Sequence, residues 1–321
     1  MTFPEEEPLP PPEKPDGEIT MTGKKFFNKK VKDGIFIFTM LLIPMLNFLV
    51  FWLYVNIDSI FLAFKVRSAT GGGEVWSFAN FSAIWREITY PDSLFVVSLK
   101  NTLKFFVSNI FITLPVSLLL CYFLYKKICG FKVFRFVFYL PSIVAPTVLV
   151  VLFKYVIAYK GPVYELCQWA GWTYKALLAS SDTALKTILF YQIVFSFGGN
   201  IILLSGAMSH IEESIVEAAQ LDGVTMPREI FQIVIPLIWP TISTLVIMAF
   251  VGLFSSSGPI LLFTQGRYNT STIAYWIYAQ VYDGVDYYYP AAIGLICTVI
   301  GTPIALGVKW LLEKVLVFEE A

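Results

Sequence analysis

Charge is what this sequence has least of: 14% of its residues are Asp, Glu, Lys or Arg, where a soluble domain carries roughly 25%. Its single histidine, His210, leaves almost no material for a histidine-ligated metal or a catalytic triad. The four cysteines, Cys121, Cys129, Cys167 and Cys297, show no C-x2-C spacing, and three lie in or beside apolar runs, so they read as small packing residues. No G-x-x-x-x-G-K-[ST] pattern occurs, so the chain has no P-loop with which to cradle ATP phosphates. Basic and acidic residues balance at 23 each, and a net charge of zero gives no electrostatic ground for nucleic acid binding. Asp, Glu and His are also missing from the long apolar runs. That argues against a self-sufficient ion-coupled transporter and against an intramembrane enzyme, both of which need such groups inside the bilayer.

What the sequence has in plenty is apolar length. Hydrophobic residues make up 57% of the chain, and a bilayer core needs about 20 of them per helix. Six stretches qualify, over about 34–57, 104–125, 134–157, 186–209, 236–256 and 287–310. None alternates with a period of two, and a barrel strand would be only about 10 residues long. The expected fold is an all-α membrane protein in which six transmembrane helices span residues 24–321. Residues 1–23, rich in proline and glutamate, read as a disordered acidic tail with little that can pack.

Orientation follows the basic flanks. Lys24, Lys25, Lys29, Lys30 and Lys32 crowd the entrance to the first run, and Lys126, Lys127, Lys132 and Arg135 fill the loop after the second. Both termini are therefore expected in the cytoplasm, with the first run a retained signal anchor. Lys154, Lys160, Lys175 and Lys186 stand against the rule, on the side this assigns to the exterior. The segment 64–94 reads as an external loop with a short helix, and "SSSGP" at 255–259 as an outer break after the fifth span.

The loop 209–235 has one basic residue, Arg228, and several acidic ones, so something other than topology selects it. Ser209 with Glu212 forms a capping-box pattern, from which a helix is expected to run to Leu221. Gly223 is placed to end that helix in the left-handed conformation. Thr225 can cap a second helix with Pro227 in its first turn, and Pro236 marks the entry to the fifth span. Ile211, Ile215, Ala218 and Ala219 share one face by their spacing, with Glu212, Glu213 and Glu217 as a polar rim. Physically this is a helix-turn-helix suited to docking, or a polar hairpin packed on its own helices.

The pattern resembles the signature EAA-x3-G-x9-I-x-L-P of binding-protein-dependent ABC importer permeases. Glu217, Ala218, Ala219, Gly223, Ile233 and Pro236 fall on it, Asp222 supplies the "LDG" common there, and Ile235 stands in for leucine. "NTLKFFVSN", "FKVFRFVFYLPSIVAP" and "NTSTIAYWIYAQVY" resemble segments of the carbohydrate branch, the maltose, multiple-sugar and glycerol-phosphate type. Phe153 and Lys154 depart from it where a tryptophan is frequent. The resemblance implies a type I importer permease fold and a loop that seats in a cleft of a cytoplasmic ATPase. Glu217, Ala218, Ala219, Asp222, Gly223, Ile233 and Pro236 are then the coupling residues. It further implies a second homologous permease subunit, an ABC ATPase dimer carrying the ATP and Mg, no cofactor in this chain, and an extracytoplasmic solute-binding protein or lipoprotein.

Polar residues within spans are candidates for the substrate path. Gln192, Ser196 and Asn200 lie mid-way along the fourth run, and Ser255, Ser256 and Ser257 end the fifth. Neutral hydroxyls and amides among aromatic rings suit a sugar or oligosaccharide. Another polar solute, such as a glycerol phosphate, is the alternative. A basic residue inside a span would favour it, and none is expected mid-span. Gly198 and Gly199 equally serve close helix approach, and Asn101 and Asn109 read either way.

Overall fold

The computed structural model describes residues 22–68, 73–256, 258–284 and 286–319. The tail expected over 1–23 lies outside them up to residue 21, as does Ser257. The chain divides into two units, Met1–Ser59 and Ile60–Ala321.

The first unit is helical throughout its described part. Helix Thr22–Asn47 passes through a π-helical stretch, Phe48–Tyr54, into helix Val55–Ala63. Pro44 sits inside the first of these. It removes one amide donor from the ladder, and the wider turn follows directly after. The apolar part, Val31–Ala63, is long enough to cross a bilayer.

In the second unit three further helices have that length, Leu94–Tyr125, Ala184–Ser209 and Tyr288–Lys314. Two helix pairs reach it only together: Phe131–Ile143 with Pro146–Val156, bent by 108°, and Met226–Leu237 with Trp239–Val251, bent by 75°. Counting each bent pair as one span gives six among the described residues. The third span expected over 134–157 is one of these bent pairs. Ala145 precedes Pro146, and a residue before proline is forced out of the helical region; Val144 is extended, and Ala145, at ψ 130°, is not helical. The fifth span, expected over 236–256, bends at Ile238, which has left helical geometry between Pro236 and Pro240. It ends at Val251, so the chain breaks into turns from Gly252, three residues ahead of "SSSGP", and the next helix starts at Ile260.

The second span begins ten residues before the expected 104, at Leu94, because Ser93 caps it: its Oγ accepts the Val96 amide at 3.2 Å. Lys100 and Lys104 therefore lie within the helix. A π-helical turn, Asn109–Thr113, interrupts it halfway. The segment after the first unit adds an element that the sequence does not announce, a hairpin pairing Lys65–Arg67 with Glu74–Trp76 ahead of the expected helix, Ala79–Thr89.

Cys121, Tyr122, Leu204, Met208, Ile230, Val234 and Ile238 form one core where the second, fourth and fifth spans meet beside the 209–235 loop. Cys121 is fully buried there, as a packing residue would be.

Candidate functional site

The acidic loop is built differently at its start from the expected capping box. The fourth span continues to Ser209, whose Oγ donates to Gly206 O at 2.7 Å, so its hydroxyl turns back into its own helix. Glu212 takes the N-cap position of a separate helix, Glu213–Leu221, without a side-chain cap bond. The far end is as expected. Gly223 has φ +69°, Val224 N donates to Ala219 O at 3.0 Å, and Gly223 N donates to Gln220 O at 3.1 Å. This Schellman closure satisfies the last carbonyls and favours a residue without a Cβ. Thr225 is extended ahead of helix Met226–Glu229, with Pro227 in its first turn.

The face of the short helix also differs. Val216 and Ala219, three residues apart, are buried at 7% exposure each, so Ala219 faces the protein. The stripe is set by branched Val216, with Ala219 small enough to let the helix seat. Ile211 is partly buried against the core beneath. The open side carries Ile215, Glu217, Ala218, Asp222 and Leu221, which is 89% exposed. An apolar residue that far into solvent at a helix end is a contact candidate that counting faces does not find. Ile233 and Pro236 are half-buried and belong to the base of the loop, where Ile230 and Val234 enter the core. The expected coupling set thus divides into exposed Glu217, Ala218, Asp222 and Gly223, and supporting Ala219, Ile233 and Pro236.

Glu229 is a site residue that sequence reasoning does not reach. It is buried at 5% exposure, and its Oε1 lies 2.5 Å from Nζ of Lys126, at the end of the second span. The same ammonium stands 5.8 Å from the centre of the Tyr122 ring. In the sequence Lys126 speaks only to topology, and a carboxylate four residues after a helix cap gives no sign of where its partner lies. Beside this pair a cleft of about 540 Å³ separates Lys127 and Arg135 from Glu213 and Glu217 on the short helix.

At the opposite end of the second span, Asn101 is buried and structural. Its Nδ2 donates to Asn269 O at 2.7 Å and Ser271 O at 2.9 Å. Thr102 Oγ1 beside it accepts the Ile273 amide at 3.0 Å. These bonds hold a turn in which Gln265, Gly266, Tyr268 and Asn269 all have positive φ. Asn109 opens the π-helical turn.

The expected path residues are only partly brought together. Gln192 is half-buried and its Oε1 is without a hydrogen-bond partner. It neighbours Gly258, where a Cβ in place of hydrogen would lie 3.6 Å from that oxygen. Ser196 is the joint between Ala184–Phe195 and Phe197–Ser209, and Asn200 lies one turn further on. Ser255 and Ser256 are exposed in the turns after Val251, and no described hydrogen bond links them to Ser196 or Asn200. Gly198 is a packing residue, since a Cβ would meet Ser142 Cβ at 2.8 Å. Gly199 has open space. Phe153 packs on Tyr191, Phe195 and Phe263, and Lys154 Nζ donates to Leu262 O at 3.1 Å.

Three comparisons bear on this arrangement. The family described as binding-protein-dependent transport system inner membrane component matches residues 101–316. The multiple sugar-binding transport system permease protein MsmF of Streptococcus mutans is 24% identical over 274 residues, 85% of this chain and 93% of that one. The sn-glycerol-3-phosphate transport system permease protein UgpA of Yersinia enterocolitica is 26% identical over 242 residues, 74% of this chain and 80% of that one. Among solved structures, a bacterial ABC transporter involved in the import of the acidic polysaccharide alginate superposes with a TM-score of 0.78 at 22% identity, covering 90% of this chain and 98% of that one.

Proposed function

Because the chain belongs to the family of binding-protein-dependent transport system inner membrane components, we propose that it forms half of the translocation pathway of an ATP-driven importer for a sugar or oligosaccharide. The family makes it a transport component of the inner membrane, not an enzyme. In this reading a second homologous permease completes the pathway, and an extracytoplasmic binding protein delivers the solute. A cytoplasmic ATPase dimer carries ATP and Mg. Both termini and the 209–235 loop face the cytoplasm.

The observation that carries the reading is the helix Glu213–Leu221, closed by Gly223 and showing Ala218 and Leu221 to solvent. Apolar surface on a short acidic helix is stable in water only at a cost, and a partner's cleft removes it. ATP-driven closure of the ATPase dimer would move this helix, and the core beneath it joins that motion to the second, fourth and fifth spans. The relatives named for multiple sugars support a carbohydrate as solute, and those named for glycerol phosphate support a second reading with the same architecture.

The test is to tag the chain, extract it from native membranes in mild detergent and identify stoichiometric companions by mass spectrometry. A second permease and a P-loop ATPase, the latter lost on Ala218→Glu, are expected. Recovery of this chain alone, indifferent to that substitution, would overturn the reading.

A further inference from the structure

The core beneath the loop joins it to the second, fourth and fifth spans, and no residue of helix Phe131–Ile143, the first half of the bent third span, belongs to that core. This helix has no buried residue at all. It approaches the fourth span closely at Ser142, whose Cβ would lie 2.8 Å from a Cβ placed on Gly198. Two turns nearer its start, at Arg135, the cleft of about 540 Å³ opens instead, with Ser205 and Ser209 of the fourth span among its lining. Left-handed Gly130 precedes the helix and extended Val144 follows it, so a joint stands at each end. An arm held so lightly has freedom to swing.

The two walls of the cleft carry opposite charge. Glu213, Val216, Glu217 and Gln220 follow at three- and four-residue spacing, so one side of the loop helix lines it. Lys127 and Arg135 line the other wall. A left-handed backbone, φ +52°, fixes Lys127 in the turn that ends the second span. The Arg135 guanidinium lies 5.9 Å from the centre of the Phe131 ring on its own helix. None of these four charges is in a described ion pair, and Lys126, the third cation of the cleft, is taken up by Glu229.

A small ion entering this cleft is attracted by one wall and repelled by the other, so the natural partner of each wall is the wall opposite. An exposed ion pair shifts an equilibrium by at most about fivefold. Contacts of that strength form and break in every cycle without locking the loop. We infer that Arg135, with Lys127 beside it, is a positioning residue of the coupling machinery: Glu213 and Glu217 close on it when the loop helix moves, and the first half of the third span is drawn along with them. The inference rests on the importer reading and adds the third span to the elements that the loop drives.

The test uses the whole complex purified from native membranes. Cys129→Ser and Cys167→Ser remove the more accessible thiols, and Ser209→Cys, exposed at the cleft, serves as a maleimide reporter read on the tagged chain. Its labelling rate is compared without nucleotide and with Mg-ATP and vanadate, which hold an ATPase dimer closed. Closure should slow labelling about fivefold. Arg135→Glu alone and Glu213→Arg alone should abolish most of that slowing, and the two together should restore it, a rescue that a merely structural arginine would not show. Arg135→Gln, which removes the pair without repulsion, gives the same reading where the Glu variant does not assemble. Lys132→Glu, on the same helix but outside the cleft lining, should leave the slowing intact. Labelling indifferent to nucleotide, slowing that persists without Arg135, or no recovery in the exchanged pair overturns the inference. ATPase recovery is measured on the same samples, so failure of the importer reading shows separately, as a wild-type chain that brings no ATPase with it.

Discussion

Replacing Lys126 with Met removes one half of an ion pair and leaves Glu229, 5% exposed, with no opposing charge. Breaking a fully buried pair from one side costs about 3–5 kcal/mol, because the surviving charge keeps its desolvation penalty. The Lys126 side chain retains 23% exposure, so solvent screens part of the interaction and about 2–3 kcal/mol is the expected loss. At roughly 2–4 °C per kcal/mol for a domain of this size, the unfolding midpoint should fall by about 5–10 °C. Lys126→Met combined with Glu229→Leu removes the charge and the penalty together and should recover most of that fall. The assay is thermal unfolding of the purified complex in one detergent at one scan rate, since the midpoint of an irreversible transition depends on it. Lys132→Met is the control: that lysine is exposed and in none of the described ion pairs. A Lys126→Met shift no larger than the control, or a double variant less stable than either single one, would refute the argument that this pair bolts the loop to the second span.

Gly223→Ala should cost about 1–2 kcal/mol in the same assay, purely from the left-handed backbone, since its added Cβ has open space; Gly223→Asn should cost less. Leu221→Ala should change stability by under about 0.5 kcal/mol, as an exposed substitution does, yet lower the amount of ATPase recovered with the tagged chain. Asn101→Ala deprives the Asn269 and Ser271 carbonyls of their donor, at about 2–3 kcal/mol, and limited proteolysis should then begin within residues 265–269. Lys65's ammonium, and after it Tyr288's hydroxyl, hold the Glu74 carboxyl below its usual range. A lowered pKa stabilises at pH above the unfolded value and ceases to do so as pH falls through the folded one. Protection of the Lys65–Arg67 and Glu74–Trp76 amides, taken relative to the intrinsic exchange rate at each pH, should therefore weaken on acidification in the wild type and show no such step in Glu74→Gln.

Features set by neighbours in sequence are legible in it, and those set by distant partners are not. The six apolar runs appear as four unbroken helices and two bent pairs, and the prolines that bend them are visible even though the angle is not. Gly223 is readable because a left-handed residue after a helix has a strong residue preference. The capping box at Ser209 fails because the fourth span's own ladder competes for that hydroxyl, and the Gly206 carbonyl is one turn away. The helix face fails because Ala218 and Ala219 are equal by composition. What separates them is Val216, which anchors Ala219 inward by spacing once the core beneath is known.

The early start of the second span has a general cause. Taking Lys104 as that start rests on the premise that charge marks the edge of the bilayer. That premise holds for side chains that face lipid, since lipid sets the penalty. A lysine facing a groove or a buried carboxylate escapes it, and the helix can run on past it when a cap such as Ser93 fixes an earlier start. Lys100 and Lys104 therefore do not mark where the second span begins, whereas Lys126 marks its end after Tyr125 and also pairs with Glu229. The same holds for Lys154, whose ammonium is spent on the Leu262 carbonyl. Lysines that break the positive-inside pattern are thus positions at which this fold reveals its polar contacts.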